Sequence, residues 1–366
     1  MPNQPYPSFS VPVQPDWEAF RDCILRKGSP HRVHHIELFL DREVQDAIAE
    51  QYHLLDDLDP DAPSAEYERM IRLQRFIGFD YVRQGIDAIE MPLNRLVTSD
   101  TADIERKAGR SYIDESKGPI TTWEEFEAYP WPDPANLTTR GLEWYELHLP
   151  DDMCVIGSGG FGHFAEYLTW LMGYETLCFA LYDQRDLVEA IADRLLDLYT
   201  AVLERILEFD RVKIVWGSDD MGFKTGPMIG PEDLREFVLP GHKRMAQMSH
   251  AAGRPYILHS CGNLFTIYDD LIEDVEIDGK HSFEDTIEDV RELKPTIGSQ
   301  IALLGGIDVD FLCRADESAI RARVRDTLDI CLPGGGYCLG TGNSVANYIP
   351  LDNYLAMVDE GRRYRP

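Results

Sequence analysis

The chain has 366 residues, and its 65 Asp and Glu outnumber its 35 Lys and Arg, which gives a formal net charge of −30. This charge repels phosphate backbones, so it argues against nucleic acid as a partner. Hydrophobic residues make up 44% of the chain, which is enough to bury a large core. The length exceeds that of most single domains but fits one large α/β barrel.

The first residues, MPNQPYPSFSVPVQPDW, lack the basic region and the apolar run of a signal peptide. No apolar run elsewhere reaches the length of a membrane span. The seven cysteines are odd in number and scattered along the chain. This pattern is typical of a reducing compartment, in which cysteines are free thiols or metal ligands. We therefore expect a cytoplasmic protein with no membrane partner.

Short apolar runs alternate with longer amphipathic segments along the chain. The runs that predict β-strands are residues 33–39, 88–91, 153–156, 212–216, 256–258, 276–279, 301–304 and 336–339. Helices are expected over residues 183–207, 231–250, 264–273, 287–293, 318–331 and 351–361. Eight strands separated by helices predict parallel βαβ units that close into a (β/α)₈ TIM barrel.

One stretch breaks this alternation. Residues 95–117 are polar and mixed in charge, which favours a hairpin, and the following GPITTWEEFEAYPWPDP indicates a turn, a short helix and a proline-rich exit. We expect residues 92–136 to form an excursion over the barrel mouth. Residues 1–30 are expected to be an N-terminal helical lead-in, and residues 31–366 a single barrel domain.

The motif HSCGN, residues 259–263, directly follows the predicted strand 256–258. Catalytic groups of TIM barrels lie at the C-terminal ends of the strands, which would place His259, Cys261 and Cys338 at one mouth. One imidazole and two thiolates are a typical ligand set for catalytic zinc, with a fourth position open. Two alternatives stay open at this point: a Cys–His nucleophilic pair, and cysteines that are merely buried.

Several other polar residues also follow predicted strands. Asp219 and Asp220 come after strand 212–216, and we expect one to be catalytic in proton transfer and the other to be a helix cap or an ion-pair partner. Glu37 is expected to contact the substrate or to be a displaceable fourth ligand, with an ion pair as the alternative. In DGKHSFED, His281 and Glu284 are expected to line the substrate pocket, although a histidine there can also be structural.

Two glycine-rich segments are candidates for cofactor binding. GSGGFGHF, residues 157–164, lacks the lysine and the spacing of a phosphate-binding loop. Gly159 and Gly160 would instead leave room for a large planar cofactor, or would simply form a backbone turn. In GTGNSV, residues 340–345, Asn343 and Ser344 are assigned to cofactor binding, with amides that could equally contact a substrate.

Four segments resemble one enzyme superfamily: VWGSDDMGFKTGPMIGPEDLREFVLPGHKRM, HSCGN, LLGGIDVDFL and GGYCLGTGNSVANYIPLDNYLAM. They are similar to the uroporphyrinogen decarboxylase superfamily, and more narrowly to its zinc-dependent methylcobamide:thiol methyltransferases and corrinoid-linked demethylases. The likeness runs from about His31 to the C-terminus and is strongest after Val212. That branch carries a His-X-Cys pair and a distant cysteine as zinc ligands, which implies these roles for His259, Cys261 and Cys338. It also implies a corrinoid carried by a partner protein.

The chain departs from authentic uroporphyrinogen decarboxylases at its N-terminal side. Those enzymes have an arginine-rich motif that binds substrate carboxylates, whereas the corresponding region here reads HRVHHIELFLDREV. We therefore predict a zinc-dependent methyltransferase that moves a methyl group between a small thiol or methoxy compound and the corrinoid. The alternatives are a decarboxylase of tetrapyrrole side chains and a non-catalytic, zinc-stabilised binding protein. A homodimer is left open.

Overall fold

The computed structural model of the chain describes residues 9, 11–87, 89, 91–102, 104 and 109–366. Within these residues, seven parallel strands form one sheet in which each strand is hydrogen-bonded to the next along the chain. The strands are β1 (Tyr81–Gln84), β2 (Cys154–Ser158), β3 (Val212–Ser218), β4 (Tyr256–His259), β5 (Gly279–His281), β6 (Ala302–Leu304) and β7 (Tyr337–Cys338). Helices follow most of these strands, so the predicted (β/α)₈ TIM-barrel architecture is confirmed.

Residues 33–40 occupy the remaining position of the barrel wall. They pair with the chain around β7 through two isolated parallel bridges, His35 with Leu339 and Leu40 with Val345. Towards β1 the contact runs through a side chain instead, because the Glu37 amide donates to the Tyr81 hydroxyl at 3.0 Å. Among the described residues, no backbone hydrogen bond joins residues 33–40 to β1. We call this junction the seam.

The strand predicted at residues 88–91 is wrong. The second strand of the barrel is β1, which ends before that stretch, and residues 88 and 90 lie outside the described residues. The sequence of β1, YVRQ, ends in two polar residues, Arg83 and Gln84, so its hydrophobic pattern does not predict a strand. The other strands lie within a few residues of their predicted positions, although β5 begins later than predicted.

Several predicted helices are divided or shortened. The helix expected over residues 183–207 is preceded by a separate one, and the helix expected over 231–250 is interrupted at Val238, ahead of Pro240. Residues 264–273 form only a short 3₁₀ turn, Phe265–Ile267, and a π-turn, Asp270–Asp274. The α-helices are Trp17–Ile24, Arg42–Gln51, Ala65–Ile77, Trp123–Ala128, Arg140–His148, Phe164–Met172, Tyr174–Asp183, Arg185–Leu207, Pro231–Phe237, Leu239–Ala251, Val290–Ile297, Val309–Arg314, Glu317–Cys331 and Leu351–Arg363, and Pro134–Asn136 is a 3₁₀ helix. Among the described residues, no helix combines the length and the apolar composition needed to cross a bilayer.

The helix Trp17–Ile24 lies at the N-terminal end of the barrel. The amide of Gly336, just before β7, donates to the Cys23 carbonyl at 2.8 Å. Arg26 donates to the carbonyl of Asp278, just before β5, at 3.1 Å. Gly336 and Asp278 both lie just before strands, so the helix covers the end of the barrel at which the strands begin. The end at which the strands finish is the one available for a site.

The predicted hairpin is present. Arg95–Thr98 and Arg110–Ile113 pair in antiparallel orientation, and the Trp123–Ala128 helix follows. Arg110 donates to Asp41 at 3.0 Å, and Asn347 donates to Asp100 at 2.6 Å. Asp41 and Asn347 follow the wall segment 33–40 and β7, so the hairpin contacts the mouth end. The boundaries 1–30, 31–366 and 92–136 stay predictions.

Candidate metal centre at the barrel mouth

Three potential metal ligands meet at the C-terminal ends of β3 and β4. The Asp220 Oδ1 atom lies 3.3 Å from His259 Nε2, and the Cys261 Sγ atom lies 3.4 Å from the same nitrogen. One donor atom from each of the three side chains lies within 4.8 Å of the others. The sequence motif HSCGN therefore contributes two members of a compact N, S and O donor set, which we call the metal group.

The backbone around the metal group is fixed by close contacts. The Cys261 amide donates to Asp220 Oδ1 at 2.9 Å, which joins the loops after β3 and β4. Gly262 has φ +84°, and a Cβ atom there would lie 2.1 Å from the backbone of Gly222. Only glycine tolerates both the left-handed conformation and this approach. The glycine of HSCGN thus allows the turn that presents Cys261 beside His259.

A second histidine orients His259. The two Nδ1 atoms of His259 and His281 are 2.7 Å apart, so one donates and the other accepts. Burial, with a further contribution from the charge of His259, lowers the pKa of His281 well below its ordinary value. This contact leaves Nε2 of His259 directed at Asp220 and Cys261. A histidine ligand is commonly held in this way by a partner on its other nitrogen.

The protonation of the metal group reflects its burial and its charges. Burial raises the pKa of the Cys261 thiol, and the charge of Asp220 raises it further. Burial also opposes ionisation of Asp220, but the hydrogen bonds from His259 and Cys261 and the charge of His259 together outweigh it and lower the Asp220 pKa below its ordinary value. A thiol with a raised pKa is the opposite of an activated nucleophile, so nothing here favours the Cys–His alternative.

The structure does not bring Cys338 to the metal group. Cys338 is fully buried, and its thiol interacts with that of Cys23 in the helix that covers the N-terminal end. Strands of a closed barrel are tilted and staggered, so residues in register on successive strands lie at different heights along the barrel axis. The contact with the metal group from this part of the chain comes from the loop after β7, where the Nδ2 atom of Asn343 lies 3.1 Å from Cys261 Sγ. The prediction of Cys338 as a ligand disagrees with this geometry.

Asp219 and Asp220 have different environments, as expected. Asp219 is fully buried and accepts hydrogen bonds from the amides of Ala165 and Glu166 at 2.8 and 2.9 Å. It also bonds to His242 Nε2 at 2.9 Å. Asp219 therefore caps the N-terminus of the Phe164–Met172 helix, while Asp220 belongs to the metal group.

The predicted substrate-binding residues lie at different depths. Glu37 is buried, and the Thr341 amide donates to its Oε1 atom at 2.9 Å. Burial raises the pKa of Glu37 to about 8, although the Thr341 hydrogen bonds oppose this shift. Glu284 is partly buried, and burial together with the charges of Asp308 and Asp220 raises its pKa. His281 contacts the metal group, whereas Glu37 faces a cavity in the seam.

The predicted cofactor-binding residues lie in loops after β2 and β7. Gly159 and Gly160 have φ angles of +81° and +76°. There is open space beside Gly159, whereas Gly160 packs against Ile89. Asn343 contacts Cys261, and Ser344 lies beside it and accepts the Ala346 amide at 3.1 Å. The assignment of these four residues to a cofactor stays a prediction.

One acid–base pair near the mouth is absent from the sequence prediction. His163 Nδ1 lies 2.6 Å from Glu166 Oε2 at the start of the helix capped by Asp219. Burial raises the pKa of Glu166 to about 7, and hydrogen bonding to Glu166 raises the pKa of His163 against its burial. Charge from Asp220 acts on both side chains. The available signal is the i, i+3 spacing of a histidine and a glutamate after the glycine-rich segment.

A family model described as uroporphyrinogen decarboxylase (URO-D) matches residues 80–364, which is most of the chain. The chain belongs to the uroporphyrinogen decarboxylase family. It is also 30% identical over 135 residues to a methylated-thiol–coenzyme M methyltransferase from Methanosarcina mazei, a match that covers 37% of this chain and 34% of that relative. The chain thus matches about a third of that relative's length. A solved structure from Listeria monocytogenes, described as a vitamin-B12-independent methionine synthase, superposes with a TM-score of 0.46 and 13% identity over 92% of this chain and 98% of that chain.

Proposed function

We propose that this member of the uroporphyrinogen decarboxylase family is a zinc-dependent methyltransferase. It would move a methyl group between a small thiol or methoxy compound and a corrinoid carried by a partner protein. The observation that supports this most is the metal group, in which Asp220, His259 and Cys261 place one donor atom each within 4.8 Å. The partial similarity to a methyltransferase is consistent with the same function.

The donor distances fit tetrahedral zinc. Zinc binds nitrogen, oxygen and sulfur at roughly 2.0–2.3 Å, so neighbouring ligands of a tetrahedral ion are about 3.3–3.8 Å apart. The two contacts of His259 Nε2, 3.3 Å to Asp220 and 3.4 Å to Cys261, agree with this spacing. Three protein ligands would leave a position for a substrate, as in catalytic rather than structural zinc sites. A mixed imidazole and thiolate set also favours zinc over magnesium or calcium.

Zinc in this group would lower the pKa of a bound thiol or polarise a substrate oxygen. The residues around the group would prepare and maintain it. His281 fixes the orientation of His259, and the Asn343 amide contacts the Cys261 sulfur. His163 and Glu166 would hold or release the proton that thiol methylation or ether demethylation requires, since the pKa of Glu166, about 7, suits general acid–base catalysis.

Exposed apolar side chains support a protein partner at the mouth. The loops that follow the strands or cover the mouth expose Phe39, Val97, Phe223, Phe265 and Tyr348, with exposed fractions between 48% and 76%. Contiguous exposed apolar surface marks interaction sites, and these five residues would contribute to such a surface at the mouth. A corrinoid protein must bring its cofactor to the metal group, and these residues lie at the end of the barrel from which it can do so.

The test is metal analysis followed by a methyl-transfer assay. Anaerobically purified protein should contain about one zinc per chain, and should demethylate free methylcobalamin with a small thiol or methylate cob(I)alamin from a methoxy compound. Protein that stays metal-free after incubation with zinc would contradict the proposal. Zinc binding without transfer from any donor would favour the non-catalytic alternative. Formation of coproporphyrinogen from uroporphyrinogen at an enzymatic rate would favour the decarboxylase.

A further inference from the structure

The seam between residues 33–40 and β1 contains an open cavity of about 260 Å³. Its lining combines apolar residues, mainly from the wall segment 33–40, with polar residues from the flanking helices and the barrel wall, the latter including Glu37, Arg83 and Ser158. The volume is below the range of roughly 300–1,000 Å³ that is typical for drug-sized ligands. The cavity can therefore hold only a small molecule or part of a larger one.

Arg83 is the unusual member of this lining. Its Nε atom donates to Ser158 Oγ at 3.0 Å, and its guanidinium carbon lies 4.5 Å from the centre of the Trp216 ring. Among the described residues, no carboxylate lies within 4.0 Å of its nitrogens, and its Nη atoms have no protein acceptor. Burial lowers its pKa to about 10, so it stays a cation at neutral pH.

A second arginine close to the seam has side-chain partners of its own. Arg69, which is buried between the helices beside the seam, is bonded at 2.7 Å both to Asp46 and to Gln45. The carboxyl that shares the cavity with Arg83 does not serve it in this way. Glu37 is occupied by the backbone and hydroxyl of Thr341, and its pKa of about 8 keeps it mostly neutral at pH 7. The positive charge of the cavity is therefore uncompensated in a chain of net charge −30.

We propose that this cavity binds the anionic group of a small organic molecule, a carboxylate or a sulfonate, through Arg83. Arg83 is partly buried in the wall of the cavity, and an anion beside its Nη atoms would supply the acceptors that the described protein residues do not. The free Nη atoms of a guanidinium form a planar fork that matches two oxygens of such a group. The Ser158 hydroxyl, held by Arg83 Nε, would help to define the orientation of the anion.

The cavity is linked to the metal group by contacts through the barrel interior. Trp216, on which Arg83 lies, has its ring 5.3 Å from that of His281, and His281 bonds to His259. Arg83 is therefore separated from His259 by two packed side chains, Trp216 and His281. The assignment of the anionic ligand as the methyl donor or acceptor rests on the proposed function, whereas the anion site itself does not.

The first experiment uses wild-type protein without metal. Butyrate and propane-1-sulfonate are titrated against the protein by calorimetry and by the fluorescence of its tryptophans, with neutral butyramide as the matched probe. Because a hydrogen bond to a charged group adds roughly 1.5–3 kcal/mol, we expect both anions to bind at least about tenfold more tightly than the amide. Equal binding of anion and amide, or binding of neither at millimolar concentration, overturns the inference.

Arginine variants identify the contact. Arg83→Gln should remove the preference for the anion, and Arg83→Lys should retain part of it. Arg314→Gln is the control, because it removes one positive charge from an exposed i, i+4 pair with Asp310 and should leave anion binding unchanged. Unchanged anion binding in Arg83→Gln contradicts the assignment. If that variant does not fold, as judged by circular dichroism, the comparison of anion and amide on the wild type remains the deciding result.

Zinc loading of the same preparations separates this inference from the proposed function. Arg83→Gln should bind zinc like the wild type, since Arg83 touches no member of the metal group. Zinc binding without anion binding rejects only the inference. Anion binding in a protein that never takes up zinc rejects the proposed function and upholds the anion site.

Discussion

The mouth of the barrel has two sides that differ in chemistry and in construction. On the side of β3, β4 and β5, called the metal side, Asp220, His259 and Cys261 lie at the ends of adjacent strands joined by a continuous backbone ladder. On the side of the seam, called the cavity side, Arg83 faces an open space, and the wall is joined through the Tyr81 side chain. The metal side therefore contains ligand atoms that can bind a cation, whereas the cavity side contains a cationic side chain, Arg83.

This difference shows how one barrel can separate two tasks. A metal site requires its ligands within a few tenths of an ångström, and paired strands provide that precision. A pocket for a small molecule requires free volume, which a wall closed by side chains can provide. The two sides should therefore respond to mutation in different quantities: metal affinity and fold stability on the metal side, and ligand binding and pH dependence on the cavity side.

The largest effect is expected for the cysteines. Zinc-finger peptides bind zinc with about 10–16 kcal/mol through four ligands, so one ligand contributes roughly 2.5–4 kcal/mol. Cys261→Ser should thus weaken zinc binding by about 10²–10³-fold, measured by competition with a chelator. Cys338→Ser is the matched control and should bind zinc normally, because its thiol lies against Cys23. Equal losses in both variants would place Cys338 in the site and contradict the geometry described above.

The second prediction concerns the carboxylate beneath the metal side. Asp219→Asn should lower the free energy of unfolding by about 3 kcal/mol, since it disturbs a buried set of hydrogen bonds to two helix amides and His242. Urea denaturation measures this change. Asp220→Asn, one residue away, should cost less than about 1 kcal/mol of stability but weaken zinc binding. The reverse pattern would exchange the roles of the two residues.

The third prediction uses the pH dependence of the cavity side. The pKa of Glu37 is about 8 in the folded protein and near 4.3 in an unfolded chain, so between these values the folded state alone keeps the proton. The contribution of Glu37 to the free energy of unfolding therefore falls as pH rises from about 5 to 8 and is constant above 8. Between pH 5.5 and 8.5, the wild type should lose about 3 kcal/mol relative to Glu37→Gln, measured by denaturation at both pH values. Parallel pH profiles would show that Glu37 ionises normally.

The smallest effect is expected for the histidine behind the metal group. His281→Phe keeps most of the ring volume but removes the contact to His259 Nδ1. Removal of such a partner typically weakens metal binding by about 10–100-fold. His148→Phe, at an exposed position of the Arg140–His148 helix, is the control and should bind zinc like the wild type. Unaltered zinc affinity in His281→Phe would mean that other contacts orient His259.

The sequence predicts the barrel and the pair His259–Cys261 because both depend on local patterns. Strand ends and a His-X-Cys spacing can be read from a few neighbouring residues. Cys338 could not be placed in this way, because its height in the barrel depends on the stagger accumulated over several strands. The same stagger brings Asn343 to Cys261, a contact between residues that are far apart in the chain.

The sequence also gives little sign of Arg83. A run of apolar residues identifies strands whose side chains are all packed in the core. It does not identify β1, because Arg83 and Gln84 in this strand are polar. Sites of function are where local patterns and the overall fold disagree.

The pair His163–Glu166 is hidden in the sequence for another reason, since the neighbouring glycines indicate a binding loop. Its position near Asp220 follows only from the cap that Asp219 provides.

The seam has a consequence for the way the barrel fluctuates. Local opening is least costly where few backbone hydrogen bonds must break, and among the described residues the junction of residues 33–40 with β1 has none. This junction should therefore separate more often than any strand pair on the metal side. Amide hydrogens such as that of Glu37 would exchange with solvent faster than those of β4, and a small molecule could enter the cavity through these openings without disturbing the metal ligands.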